Sequence, residues 1–98
     1  MKDILNKLSK LLESRIRLGI MSALVINESM DFNSLKDLLD VTDGNLASHL
    51  RVLEENELIQ VRKQFIERKP NTRYKATGHG KDVFNQHLDA LEQLMKKK

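Results

Sequence analysis

The stretch from Thr42 to Ile59, TDGNLASHLRVLEENELI, decides how the rest of the chain is read. Leu46, Leu50 and Leu53 recur at helical spacing and share one face, which predicts a helix from Asp43 onward. Asn45, Ser48, His49 and Arg51 fall largely off that face, near the helix start, where they offer donors and acceptors to a base edge or a phosphate. His49, beside a core leucine, reads equally as a residue packed at the helix flank. Thr42 is a suitable N-cap, its hydroxyl accepting a bond from a free amide of the first turn. Asp43 suits the positive end of the helix dipole. Asn45 stands where Glu or Gln would complete a capping box. Gly44 costs about 1 kcal/mol relative to Ala inside a helix; close approach of the backbone to a phosphate would justify it, although the cost is small this near the N-terminus.

Working upstream, Ser34 to Leu39 forms a short helix that buries Leu35, Leu38 and Leu39, capped by Asn33 or Asp31. Asp40-Val41 makes the turn into the next helix. Two short helices joined by a tight turn are a helix-turn-helix. Downstream, Ile59 to Ile66 alternates Ile59, Val61 and Phe65 with Gln60, Arg62 and Gln64. The alternation falters at Lys63, which predicts a bulge or an open edge there. Glu67 to Asn71 holds the only proline and reads as a loop. Thr72 to Ala76 is the return strand, with Tyr74 half-buried. From Arg62 to Lys81 there are seven cations and one acid, Glu67, whereas Glu54, Glu55 and Glu57 make the preceding helix end acidic. That distribution gives one face suited to phosphate, beyond what a merely solvated hairpin requires.

The combination of Thr-Asp-Gly-Asn-Leu at 42–46, Ser-His-Leu at 48–50, Leu-Glu-Glu at 53–55, the pair Leu58-Ile59 and a basic hairpin resembles the recognition helix and wing of winged helix-turn-helix transcriptional regulators. The likeness is to the small single-domain branch related to the MarR and ArsR repressors, and it extends from about Arg15 to Gly80. It implies a mainly α fold with a small β-hairpin, to which Met30-Asp31-Phe32 adds a short third strand. It also implies a histidine near DNA at position 49, and a dimer. The chain departs from the family pattern in three places. Ala47 stands where a Ser is common, and Ser48 where a larger polar or basic residue is common. Asn56-Glu57 occupies the helix end, where a left-handed Gly is usual; Asn tolerates that conformation better than Glu does, which places the reversal at Asn56.

The ends of the chain carry surplus apolar faces. Asp3 to Leu12 reads as an amphipathic helix with Ile4, Leu8 and Leu11 on one stripe. Ser14 can cap a helix from Arg15 to about Asn27 that buries Ile16, Ile20, Met21, Leu24 and Val25, while Gly19 and Ala23 let another helix approach. Thr77 can cap a last helix whose stripe is Val83, Phe84, Leu88, Leu91 and Met95, and Lys96 to Lys98 suit its negative pole. A winged-helix core over 14–77 already closes on itself. Residues 1–12 and 81–96 are therefore expected to form a twofold dimer interface through Ile4, Leu8, Leu11, Phe84, Leu88, Leu91 and Met95, the alternative being that both helices pack on their own domain.

Ninety-eight residues with a net charge of +3 make one domain, 1–98, whose core rests on Leu, Ile and Val because Trp is absent and aromatics are few. With no cysteine, disulfides and thiolate metal sites are excluded, in keeping with a reducing cytoplasm. No apolar run approaches the roughly 20 residues of a membrane span, and the N-terminus shows no signal-peptide pattern. His49, His79 and His87 are the only histidines, and His79 and His87 are too far apart for adjacent zinc ligands on a helix. No phosphate loop and no catalytic constellation is present, so neither an enzyme nor a cofactor or metal site is expected.

The expected activity is that of a homodimeric, sequence-specific regulator of transcription, a repressor where its site overlaps a promoter. Thr42, Gly44, Ser34 and Lys36 would hold phosphates, and Asn45, Ser48, His49 and Arg51 would face the major groove. Arg68, Lys69 and Arg73 would reach the flanking backbone or minor groove from the wing. The alternative is a winged-helix adaptor that grips another protein. No polar constellation between the end helices marks a small-molecule effector.

Overall fold

Leu46, Leu50 and Leu53, the stripe read from the central stretch, are buried. The computed structural model describes residues 1–96; Lys97 and Lys98, part of the basic run expected at the last helix pole, lie outside the described residues. Helix α1 spans Lys2–Asn6, and a 3-10 turn spans Lys10–Leu12. Then come α2 (Arg15–Ile26), β1 (Met30–Asp31), α3 (Phe32–Leu39), α4 (Asp43–Glu55), β2 (Ile59–Ile66), β3 (Lys69–Ala76) and α5 (Gly78–Lys96). The three strands are antiparallel in the order β1-β3-β2. The fold is therefore mainly α with a small sheet, as expected. Leu12, Ile20, Met21, Leu24, Leu35, Leu46, Leu53 and Leu58 fill the centre. Burying each such side chain stabilises the fold by about 1.5–3 kcal/mol.

Four helices begin on side-chain caps. The oxygens of Ser14, Asp31, Thr42 and Thr77 accept from the amides of Arg17, Ser34, Asn45 and Gly80. Because Asp31 caps α3, the helix starts at Phe32, which is half-buried and outside β1, one residue earlier than the strand reading allowed. A Cβ on Gly19 would lie 2.9 Å from Leu39 Cδ2, so the small residue does admit α3.

Five expectations need correction. The N-terminal helix is broken after Asn6, because Ser9 is extended and donates its N–H to Nδ1 of His87 at 3.0 Å. Leu38 is exposed, since α3 is only eight residues long and turns one face inward. Asn56 is not the left-handed residue. Glu57 is, at φ 62°, with Glu57 N–H bonded to Glu54 O and Leu58 N–H to Leu53 O at 2.9 Å each. This is a Schellman closure, with Leu58 and Leu53 buried as its apolar contact. Fourth, of the two readings of Lys63 the bulge is excluded and the open edge holds: the register of β2 with β3 is continuous from Ile59↔Ala76 to Ile66↔Lys69, and β2 is an outer strand of the sheet. The loop shrinks accordingly to Glu67-Arg68, with φ of 52° and 67°. Two left-handed residues match the primed turn that a two-residue hairpin needs. Pro70 therefore sits within β3, opposite Phe65. That pair follows the bonded pair flanking the turn, so its amides point outward and a residue without N–H fits.

The last correction concerns α5. Its buried line is Gly80, Phe84, His87 and Ala90, one position off the expected stripe, because α1 and α2 pack on that side. Ile4 and Phe84 are buried within their own chain, Leu8 and Leu11 are half-buried, and Leu88, Leu91 and Met95 remain exposed. Gly80 is fixed by contact: a Cβ there would collide with the carbonyl oxygen of Leu58. Thr77 ties the same corner, donating its hydroxyl to Glu57 O at 2.7 Å and its N–H to Leu58 O at 3.0 Å.

Candidate nucleic-acid interface

The inward stripe of α4 leaves its opposite side to solvent, and Thr42, Asp43, Gly44, Asn45, Ala47, Ser48 and Arg51 are all exposed there. Nothing lies within 4 Å of the position a Cβ on Gly44 would take, so the glycine is not demanded by packing within the chain. Asn45 and Ser48 are three residues apart on a helix and thus neighbours on one face. Their side chains make no hydrogen bonds among the described residues.

His49 is placed differently. It is half-buried, and its Nδ1 lies 3.0 Å from Nη1 of Arg17 on α2. A guanidinium is always a donor, so Nδ1 accepts and the ring proton sits on Nε2. Burial, then the nearby Arg17 charge, lowers the pKa of His49 and favours this neutral form. Arg17 also donates Nε–H to Leu11 O at 2.7 Å, tying the N-terminal segment, α2 and α4 together. His49 is thus a held ring with one remaining donor, Nε2–H.

The positive charge is divided between sites. Lys36 pairs with Asp43 at 2.7 Å, across the turn of the helix-turn-helix, which raises its pKa through the hydrogen bond and the opposite charge. Ser34 is exposed at the start of α3, its N–H already bonded to Asp31. Arg73 is not at the wing tip. Its Nε–H and Nη2–H bond Ser29 Oγ and Ser29 O at 3.0 and 3.1 Å, fastening β3 to the segment before β1. Asp31, whose pKa is lowered first by the Ser34 amide, feels Arg73 as well. Arg68 and Lys69 are exposed at the turn.

Between α4 and the hairpin runs a cleft lined by Ala47, Leu50, Arg51, Glu54, Val61, Lys63, Thr72 and Tyr74. Lys63 and Arg51 put two cations into it. The faltering alternation at Lys63 was the sequence signal for this placement. No local pattern marked Arg17, because its partner is 32 residues away.

A recognition-type helix with an open polar face, a preceding helix across a tight turn and a three-stranded wing define a known arrangement. Residues 16–95 match the family model described as a winged helix DNA-binding domain. The chain belongs to that family. This winged-helix domain is 36% identical over 87 residues to an uncharacterized protein of Methanocaldococcus jannaschii, covering 89% of this chain and 95% of the relative. The solved structure of a transcriptional regulator homologue from Pyrococcus horikoshii is 35% identical, with a TM-score of 0.86 over 97% of this chain and 92% of that one. YusO of Bacillus subtilis, 14% identical, shares the fold with a TM-score of 0.75 over 97% of this chain and 70% of that one. The winged helix-turn-helix read from the central stretch is upheld by the family match and by the Pyrococcus structure. Among the described residues no helix is long and apolar enough to cross a membrane.

Proposed function

We propose that this domain is a sequence-specific, double-stranded-DNA-binding transcriptional regulator of the cytoplasm that acts as a homodimer and represses where its site overlaps a promoter. The observation that carries the reading is the open face of α4, where Asn45 and Ser48 stand unbonded beside a glycine whose missing side chain serves no internal contact. Asn matches the donor and acceptor of adenine in the major groove, and Ser pairs with several bases. Amides near Thr42 and Gly44, with Ser34 and Lys36, hold phosphates at the helix N-terminus. His49 presents Nε2–H from its clamp on Arg17, and Arg68 and Lys69 meet the flanking backbone. Arg73 has a bracing role instead, given its bonds to Ser29.

Leu88, Leu91 and Met95, exposed on α5, with Leu5 of α1 also exposed, supply the apolar face for a second copy. A twofold dimer would present two α4 helices to successive major grooves, with half-site centres about 34 Å apart. Two measurements test the reading. Neutralising Arg68 and Lys69 together should weaken binding to every duplex and flatten the slope of log K against log salt by about 2. Leu91→Glu should convert a dimer mass in solution to a monomer mass. A protein that shifts no duplex at moderate salt and copurifies with another protein would instead be an adaptor.

A further inference from the structure

The wing tip is apolar as well as basic. Phe65 is 77% exposed, Ile66 beside it is 48% exposed, and Pro70 stands directly across the ladder from Phe65. Val61, Lys63 and Phe65 share one face of the sheet by alternation, as do Tyr74, Thr72 and Pro70 across from them. The first members of both sets line the cleft against α4. Phe65 and Pro70 therefore continue the α4-facing side of the wing beyond the end of the cleft, and among the described residues none covers Phe65. Exposed Lys63, Arg68 and Lys69 surround this pair, and Glu67 is the single acid at the tip.

Distances along the strand fit a duplex. At about 3.4 Å per residue, Phe65 lies about 14 Å beyond Val61 and the turn about 20 Å beyond it. The centre of a minor groove lies about 17 Å from that of the adjacent major groove, half the helical repeat of about 34 Å. A wing anchored beside α4 thus carries Phe65 to the neighbouring minor groove. A ring of cations around an uncovered aromatic complements a phosphate-lined groove. Two paired strands about 4.8 Å apart with their side chains overfill a groove about 6 Å wide, so entry requires the groove to open. Apolar side chains that part a base step open it.

We infer that Phe65, backed by Pro70, is an intercalating wedge that unstacks one base step in the minor groove flanking the site read by α4. The inference rests on the DNA-binding reading above and adds a deformation of the duplex to it. The wedge favours flexible pyrimidine–purine steps at the flank, so specificity extends to a position no polar group contacts.

The test uses the full chain with a duplex selected from a random pool, 2-aminopurine being placed in turn at each flanking step. The wild type should raise the fluorescence several-fold at one flanking step per half-site and slow the complex in a phased-bend gel. Phe65→Ala should abolish that fluorescence rise and weaken binding about tenfold, while Phe65→Leu keeps most of the rise. Because Phe65 is exposed, circular dichroism of both variants should match wild type. Binding with no fluorescence change at any flanking step, or an equal rise with Phe65→Ala, overturns the wedge and leaves the regulator reading standing. Failure of the wild type to bind any duplex overturns both.

Discussion

Glu57 holds a conformation that suits glycine, and replacing it should stabilise the domain. Its φ of 62° places it in the left-handed region at the position after the α4 C-cap. That conformation costs an L-residue about 1–2 kcal/mol. A glycine relieves the strain but loses about 0.4–1 kcal/mol through the greater freedom of the unfolded chain. The net gain for Glu57→Gly is therefore about 0.5–1 kcal/mol. With an unfolding entropy of about 2.1 cal/mol/K per residue over the whole chain, the midpoint should rise by roughly 2–5 °C. The bonds of the corner are main-chain at this residue and survive: Glu57 N–H to Glu54 O, and Glu57 O accepting from Thr77. Thermal and urea unfolding of wild type, Glu57→Gly and Glu57→Ala at moderate salt separates the causes. Alanine removes the charge but keeps the Cβ, so it should fall well short of glycine. Glycine no more stable than alanine would refute the assignment of strain to this backbone position. Duplex binding should be unchanged in both variants, because the corner is at the far end of α4 from Asn45.

Two other perturbations have worked signs. Asp43→Asn releases Lys36 from its 2.7 Å ion pair and removes an acid from the N-terminal end of α4. Binding to all duplexes should tighten several-fold at low salt, with a slope steeper by about 0.9 for one added phosphate contact, while stability drops by about 0.3–1 kcal/mol through the lost helix-dipole interaction; weaker binding would count against Lys36 as a phosphate ligand. His87 is buried, and its Nδ1 accepts the Ser9 N–H. Burial lowers its pKa, opposed by the Glu13 charge. The unfolded chain then binds the extra proton, so stability is full above about pH 6.5 and declines as pH falls below it. The decline of the urea midpoint below that pH should be shallower in His87→Gln, and an identical profile would remove His87 from the account.

What the sequence made legible is what local periodicity encodes. The leucine stripe of α4, the caps at Ser14, Thr42 and Thr77 and the turn before α4 all follow from spacing within a few residues, whereas the pairing of β1 with the wing came only from the family resemblance. What it hid depends on partners far along the chain. Ser9 breaks the first helix because its N–H meets His87, 78 residues away. The buried line of α5 is displaced because α1 and α2 pack on that side, and its members Gly80, His87 and Ala90, small residues and a histidine, carry little apolar signal. Pro70 reads as a loop residue until the register shows its nitrogen facing outward. In the site, Asn45, Ser48 and the tip cations were legible as unused polar groups at helix and hairpin positions. The diversion of His49 to Arg17 and of Arg73 to Ser29 was not, since either side chain is long or polar enough to serve inside or out.

The most direct measurement is the ratio of affinities for a selected cognate duplex and for random duplex, taken for wild type and Asn45→Ala at one salt concentration. Wild type should prefer the cognate by about 10³-fold or more. Asn45→Ala should lose about 1–3 kcal/mol on the cognate alone, its binding to random duplex holding steady. Equal affinity of the wild type for both duplexes, or an unchanged ratio in Asn45→Ala, would contradict α4 as the element that reads sequence.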